Sequence, residues 1–265
     1  MTPLLFGSAA APLYGMYHPP EAAPKDMGVV LCYPFGQEYM RAHRAYRQLS
    51  LLLAKKGFHV LRFDYRGTGD SSGDIDDVSV DDWITDVRSA VSELKELSDV
   101  SRMSVVGLRL GALVAALACE QGDGTDQLIV WDPVVSGQQY VDELLAEIAA
   151  EVPDSYSPHS GNRELAGGTL HYNGFVMPAS LRNALGQLSL DAILPASVDR
   201  VLQLVSHEEP RFFRLRDAWR AHPSFRYQYT PGPHDWNFVD AFGGILLPQP
   251  LIQAIVAWLT AQEDQ

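Results

Sequence analysis

The sequence places an arginine where a nucleophile would be expected. Met103 to Gly107 is a short apolar run that leads into Gly107-Leu108-Arg109-Leu110-Gly111, and the helical stretch Ala112-Leu113-Val114-Ala115-Ala116 follows at once. Strand, G-x-x-x-G and helix is the layout of a nucleophile elbow. Its glycines permit a sharp turn that lifts the middle residue above a sheet at a helix N-terminus. Ser, Cys or Asp at that position could form a covalent intermediate. Arg109 cannot, because a guanidinium is protonated at any ordinary pH and does not attack a carbonyl.

Other residues with chemical potential give weaker patterns. His18, His43, His59, His159, His171, His207 and His222 have no mutual ligand spacing, so no metal site is expected. Asp74, Asp76, Asp77, Asp81, Asp82 and Asp86 lack the D-x-D-x-D-G order of a calcium loop. Asp81 and Asp82 suit the first turn of a helix, where the dipole favours acids. Ser71 and Ser72 sit in what reads as a tight turn and are poor candidates for displaced nucleophiles. Cys32 and Cys119 fall in strand-like and helical apolar runs and read as small buried hydrophobes.

The elements that must position these residues follow from hydrophobic period. Leu4 to Pro20, broken by Gly7, Pro12 and Gly15, reads as two antiparallel strands and a turn. Unbroken apolar runs at Gly28–Tyr33, Phe58–Phe63, Met103–Gly107, Gln127–Trp131, Val201–Val205 and Phe225–Tyr229 predict strands buried on both faces. Helical spacing appears between them at Ala42–Lys56, Asp81–Leu97, Leu110–Glu120, Phe212–Ala221 and Leu251–Leu259. Regular alternation predicts a doubly wound, mostly parallel α/β sheet, with ligands bound beyond the carboxyl ends of the strands. Ser136 to Ser197 breaks the alternation and reads as a cap insertion within a single domain spanning 1–265. Its aromatic residues Tyr140, Tyr156, Tyr172 and Phe175 suit either an acyl pocket or the cap's own core.

The chain resembles an α/β-hydrolase over nearly its whole length. Besides the elbow, the resemblance rests on Tyr33-Pro34-Phe35-Gly36-Gln37-Glu38, on Asp64-Tyr65-Arg66-Gly67-Thr68-Gly69-Asp70-Ser71-Ser72-Gly73, and on Pro231-Gly232-Pro233-His234-Asp235-Trp236. Within that superfamily it is most similar to the exosortase-system-associated hydrolases, on Gly107-Leu108-Arg109-Leu110-Gly111-Ala112 and on Trp131 with Pro133-Val134-Val135-Ser136-Gly137. The family's order of nucleophile, acid and histidine maps onto Arg109, an acid in Ser206-His207-Glu208-Glu209-Pro210, and His234. Glu208 or Glu209 would orient the imidazole, with Asp132 as a second candidate. A histidine so oriented is a general base with or without a serine and can activate water directly. The resemblance also implies an oxyanion hole from the backbone N–H of Leu110 and of the loop carrying Phe35, Gly36 and Gln37. A full positive charge at a helix N-terminus is unfavourable unless an anion compensates. Arg109 therefore implies a bound carboxylate or phosphate, or an internal partner such as Glu38.

Composition limits the remaining readings. Lys and Arg number 20 against 33 Asp and Glu among 265 residues, a net charge of −13, which argues against a nucleic-acid partner. No apolar stretch is long enough to span a membrane. The N-terminus lacks the basic and hydrophobic regions of a secretory signal, so a cytoplasmic location is expected. The expected function is a hydrolase or acyl-transfer enzyme acting on an ester, thioester or amide of an organic acid. It would use no serine nucleophile and no cofactor, with His234 as base and Arg109 as anchor for an anionic substrate group. A thioesterase-like protein of this kind could also self-associate. The alternative is a catalytically silent binding or scaffold protein on the same fold.

Overall fold

The computed structural model describes residues 1–121, 124–150, 162–237 and 246–261. In chain order its first half comprises β1 (Thr2–Ser8), β2 (Ala11–His18), β3 (Met27–Cys32), α1 (Gln37–Lys55), β4 (His59–Phe63), α2 (Val80–Ser98), β5 (Arg102–Leu108) and α3 (Leu110–Gln121). The second half comprises β6 (Gln127–Trp131), α4 (Gly137–Ala150), β7 (Arg163–Glu164), β8 (Leu170–Tyr172), β9 (Phe175–Met177), α5 (Ala179–Gly186), β10 (Arg200–Val205), α6 (Pro210–Trp219), β11 (Phe225–Tyr229) and α7 (Gln249–Thr260). Each of the six apolar runs is a strand and each of the five helical stretches a helix.

The main sheet has eight strands in the order β1-β2-β4-β3-β5-β6-β10-β11. β2 pairs antiparallel with β1 and β4, and every pairing from β4 to β11 is parallel. All residues of β3 and β6 are buried, as strands covered by helices on both faces require. The chain reverses its direction of winding between β3 and β5, which opens a crevice at their carboxyl ends. The N-termini of α1 and α3 meet there, carrying the Phe35–Gln37 loop and Arg109.

Two apolar layers flank the sheet. One packs α2 and α3 against it, and the other packs α1 and α7. Leu110 through Cys119 of α3 are all buried, which explains a helix apolar on every side. Tyr140, Leu144, Leu170, Tyr172, Met177, Leu181 and Leu185, from the segment expected to form a cap, belong to the same apolar cluster as α2 and α3. That segment thus extends the main core rather than building its own. Within it β7, β8 and β9 form a small antiparallel sheet. Tyr156, His159 and Gly161 lie outside the described residues.

The acidic stretch has a structural explanation. Ser79 and Asp82 form a reciprocal capping box at the start of α2. Arg66 bridges Asp82 and Asp86, each at 2.8 Å. Ser71 accepts from the Tyr14 N–H and is held in the turn after β4. Both cysteines are free and buried, and no metal-ligand cluster occurs among the described residues.

Candidate active site

The elbow is built as its glycines predict. A Cβ on Gly107 would come within 2.4 Å of the Gly111 carbonyl oxygen, and one on Gly111 within 2.3 Å of the Tyr33 carbonyl oxygen. Both distances are too short for any side chain, so the spacing is fixed by backbone packing. Arg109 itself has φ of 53°, a strained conformation for a residue with a Cβ. Its N–H donates to the Trp131 carbonyl at 3.0 Å, and its carbonyl accepts from Val134 at 3.1 Å. Arg109 therefore stands at the sharp turn between β5 and α3.

The guanidinium turns toward α1. Its Nε donates to Glu38 Oε1 at 2.8 Å, where the two side chains are 9% and 1% exposed. Glu38 is the second residue of α1, placed by a turn at Gly36 with φ of 64°. The Arg109 guanidinium also lies 5.9 Å from the Tyr140 ring centroid, and one terminal nitrogen is 3.8 Å from Glu143. Burial pushes the Glu38 carboxyl upward, and the Arg109 charge and hydrogen bond pull it back. Burial likewise opposes the charge on Arg109, but Glu38 more than compensates and holds its pKa above the ordinary value. The anion implied by the sequence is therefore present within the chain.

The acid loop after β10 does not serve His234. Glu209 precedes α6 and folds back within its own loop, so Oε1 lies 2.7 Å from His207 Nε2 and Oε2 lies 2.7 Å from Arg211 Nε. Glu208, between His207 and Glu209 in the chain, is exposed. Asp132 is fully buried after β6, where it accepts from the Ser206 N–H at 2.7 Å, the Ser206 hydroxyl at 2.7 Å and Trp236 Nε1 at 3.3 Å. Among the described residues none of the three expected carboxylates bonds His234. Its Nδ1 instead lies 3.3 Å from the Gly232 carbonyl, which can only accept. In the neutral ring that contact favours the tautomer with hydrogen on Nδ1, in which Nε2 is the acceptor.

His207 is the residue that sequence reasoning passed over. Its ring stacks on His234 at 4.2 Å between centroids, with Nε2 on Glu209 and Nδ1 3.1 Å from the Ser206 hydroxyl. A serine hydroxyl carries one hydrogen. Either it donates to Asp132 and accepts from His207, or a protonated Asp132 donates to it and it donates to His207. Burial pushes the Asp132 carboxyl upward against the two Ser206 hydrogen bonds, which brings the second arrangement closer in energy. The signal for His207 was its place in the loop after a parallel strand, next to two acids.

Two concavities flank the elbow. A cleft of about 240 Å³ is lined by Glu38, Arg109, Glu143, Glu147, His207, Glu209, Arg211 and His234, among others. Arg109, Glu209 and His234 thus share one site, while Glu208 is not part of it. On the other side, a cavity of about 340 Å³ is bounded by Phe35 and Gly36 before α1, by Leu110 and Gly111, and by Phe175. Leu110 opens α3, so its N–H has no partner within the helix, as an oxyanion donor requires.

Sheet order, winding and elbow together define an α/β-hydrolase. The chain belongs to the hydrolase family described as serine aminopeptidase, S33, matched over residues 29–173. That stretch contains the elbow and the glycine loop after β4 but ends before His207 and His234. Over 117 residues, 43% of this chain, it is 32% identical to human protein ABHD12B. The alignment covers 32% of that protein, so the chain matches about a third of its length. Among solved structures, Est1E from Butyrivibrio proteoclasticus with ferulic acid bound superposes with a TM-score of 0.70 at 14% identity, covering 99% of this chain and all (100%) of that one. Proline iminopeptidase from Mycobacterium smegmatis gives 0.64 at 17% identity, covering 99% of both chains. These two likenesses establish the fold. No helix among the described residues is long and apolar enough to cross a membrane.

Proposed function

We propose that the protein is a serine-independent hydrolase or acyl-transfer enzyme acting on an ester, thioester or amide of an organic acid. The observation that carries this reading is that His234 and Arg109 line one cleft beside the first N–H of α3. His234 Nε2 takes a proton from water or another acceptor. His207 supports the His234 ring by stacking, and Glu209 holds His207 in place. The N–H of Leu110, with those of Phe35, Gly36 and Gln37 nearby, receives the developing oxyanion. Arg109 keeps its terminal nitrogens for an anionic atom of the substrate, in competition with Glu143. The described parts of the inserted segment, 136–150 and 162–197, act as a cap that contributes Glu143 and Glu147 to the cleft and Phe175 to the cavity. The narrower kinship with exosortase-system-associated hydrolases belongs to the same reading and rests on the arginine-bearing elbow.

The test is turnover of acyl thioesters and aryl esters by wild type and His234→Ala, with products identified by mass spectrometry. Turnover by wild type that is lost in the variant, without labelling by a serine-directed fluorophosphonate, supports the mechanism. Labelling at Ser72 overturns it. A second reading, a silent binding protein, draws on the Arg109–Glu38 pair and on His234 having no carboxylate partner among the described residues. It predicts saturable binding of an organic acid, lost in Arg109→Ala, with no product formed.

A further inference from the structure

The cavity on the far side of the elbow has a composition unlike the cleft. Phe35, Ile75, Trp83, Leu110, Val114 and Phe175 supply its walls, and no Lys, Arg or His among the described residues lines it. Its one ionisable acid, Asp64, accepts from the Tyr39 hydroxyl at 3.0 Å and from the Asp70 N–H at 3.1 Å. Burial pushes the Asp64 carboxyl upward, so even this charge is disfavoured there. The volume of about 340 Å³ lies at the lower end of small-molecule sites. At about 30 Å³ per water-sized group it holds on the order of ten heavy atoms.

We propose that this cavity receives an uncharged, medium-length acyl chain. The inference rests on the hydrolase reading for its direction. Leu110 and Phe35, whose N–H groups are the oxyanion candidates, also form the cavity wall, whereas His234 lies on the cleft side. A carbonyl held by those N–H groups therefore sends its acyl chain into the cavity and leaves its other substituent facing His234. Burying a chain of this size draws on the hydrophobic term, while a charge at its far end would be desolvated without a partner. Substrate selection thus follows the apolar end, with Phe175 and Val176 of β9 forming the wall contributed by the inserted segment.

Calorimetric titration of the whole protein with butyrate, decanoate and decanedioate tests this without requiring turnover. Decanoate is expected to bind saturably at one site, at least tenfold more tightly than butyrate or decanedioate. Val176→Trp, made from a half-buried wall position, should weaken decanoate at least tenfold. If that variant does not melt cooperatively, Ile75→Trp from another wall position replaces it. Absence of decanoate binding to wild type, equal binding of decanedioate, or undiminished binding in a folded wall variant overturns the proposal. Decanoate binding as expected without turnover of any ester leaves the cavity assignment standing and removes only the hydrolase reading.

Discussion

The two sides of the elbow follow opposite rules although one turn of chain separates them. On the cleft side, side chains hold one another in a continuous series: Glu38 with Arg109, Arg109 near Glu143, Glu143 with Arg211, Arg211 with Glu209, and Glu209 with His207. On the cavity side the walls are mostly apolar, and among the described residues no comparable chain of ion pairs lines the space. The cleft therefore spends its polar groups on each other and fixes geometry, while the cavity leaves room. An arginine at the elbow explains this division. A serine there would need a free base at its side, whereas arginine needs a buried carboxylate, and Glu38 at the head of α1 provides it.

The largest expected effect falls on the cleft. If His234 is the base, His234→Ala lowers kcat by about 10²–10⁴-fold, the usual contribution of a general base, with the fold unchanged. A steady-state assay on the best thioester measures it. If His207→Ala produces that loss and His234→Ala does not, the two rings exchange roles. Next in size is Glu38→Ala, which leaves the Arg109 guanidinium buried without its partner and should cost about 3–5 kcal/mol. Urea denaturation measures this, and the double variant Glu38→Gln with Arg109→Met should recover most of the loss. A cost below about 1 kcal/mol would mean that water reaches Arg109 and the cleft is not a closed network.

Much of this comparison was legible in the sequence, for reasons that also explain what was not. Five of the parallel strands showed because burial on both faces writes an apolar run. By contrast β11, expected to be buried likewise, lies at the sheet edge with no buried residue and showed through its aromatic residues. The elbow showed because Gly107 and Gly111 are demanded by backbone contacts. Glu38 was readable as a partner for Arg109, since two helix N-termini meet at one switch point. The partner of His234 was not. Glu209 and His207 are two residues apart, and a carboxylate that closes a loop on its own neighbour looks in sequence the same as one that reaches across to the next strand. The large cavity was equally hidden, because its walls come from the loops after β3 and β4, from α2 and α3, and from β9. Of the four cap aromatics singled out, Phe175 reaches the cavity while Tyr140 and Tyr172 join the core. Tyr156 lies outside the described residues.

A smaller effect separates the two proton arrangements around Ser206. The folded-state pKa of Asp132 is raised above its ordinary 3.8 by burial. A raised carboxylate favours the folded state while protonated, and that advantage is lost as pH rises from about 3.8 through the folded value. Asp132→Asn removes this dependence, at a cost of about 1–3 kcal/mol at low pH for an indole N–H left facing an amide N–H. The stability difference between wild type and variant should therefore shrink as pH rises. Denaturant midpoints across that range measure it. A difference that grows with pH would mean that the ionised form of Asp132 is the stabilised one, as a proton held on His207 would make it.

The smallest expected effect lies on the cavity side. Ile255 of α7 is fully buried in the layer with α1, and Ile75 borders the open cavity. Removing one methyl from a packed isoleucine costs about 0.5–1.5 kcal/mol, because contacts are lost and a void is left. At Ile75 one side already faces a void, so there are fewer contacts to lose. Ile75→Val should fall near the lower figure and Ile255→Val near the upper, as read from urea midpoints. If Ile75→Val costs as much as Ile255→Val, the loop carrying Ile75 closes onto the opposite wall in solution. An acyl chain would then have to open the cavity before filling it.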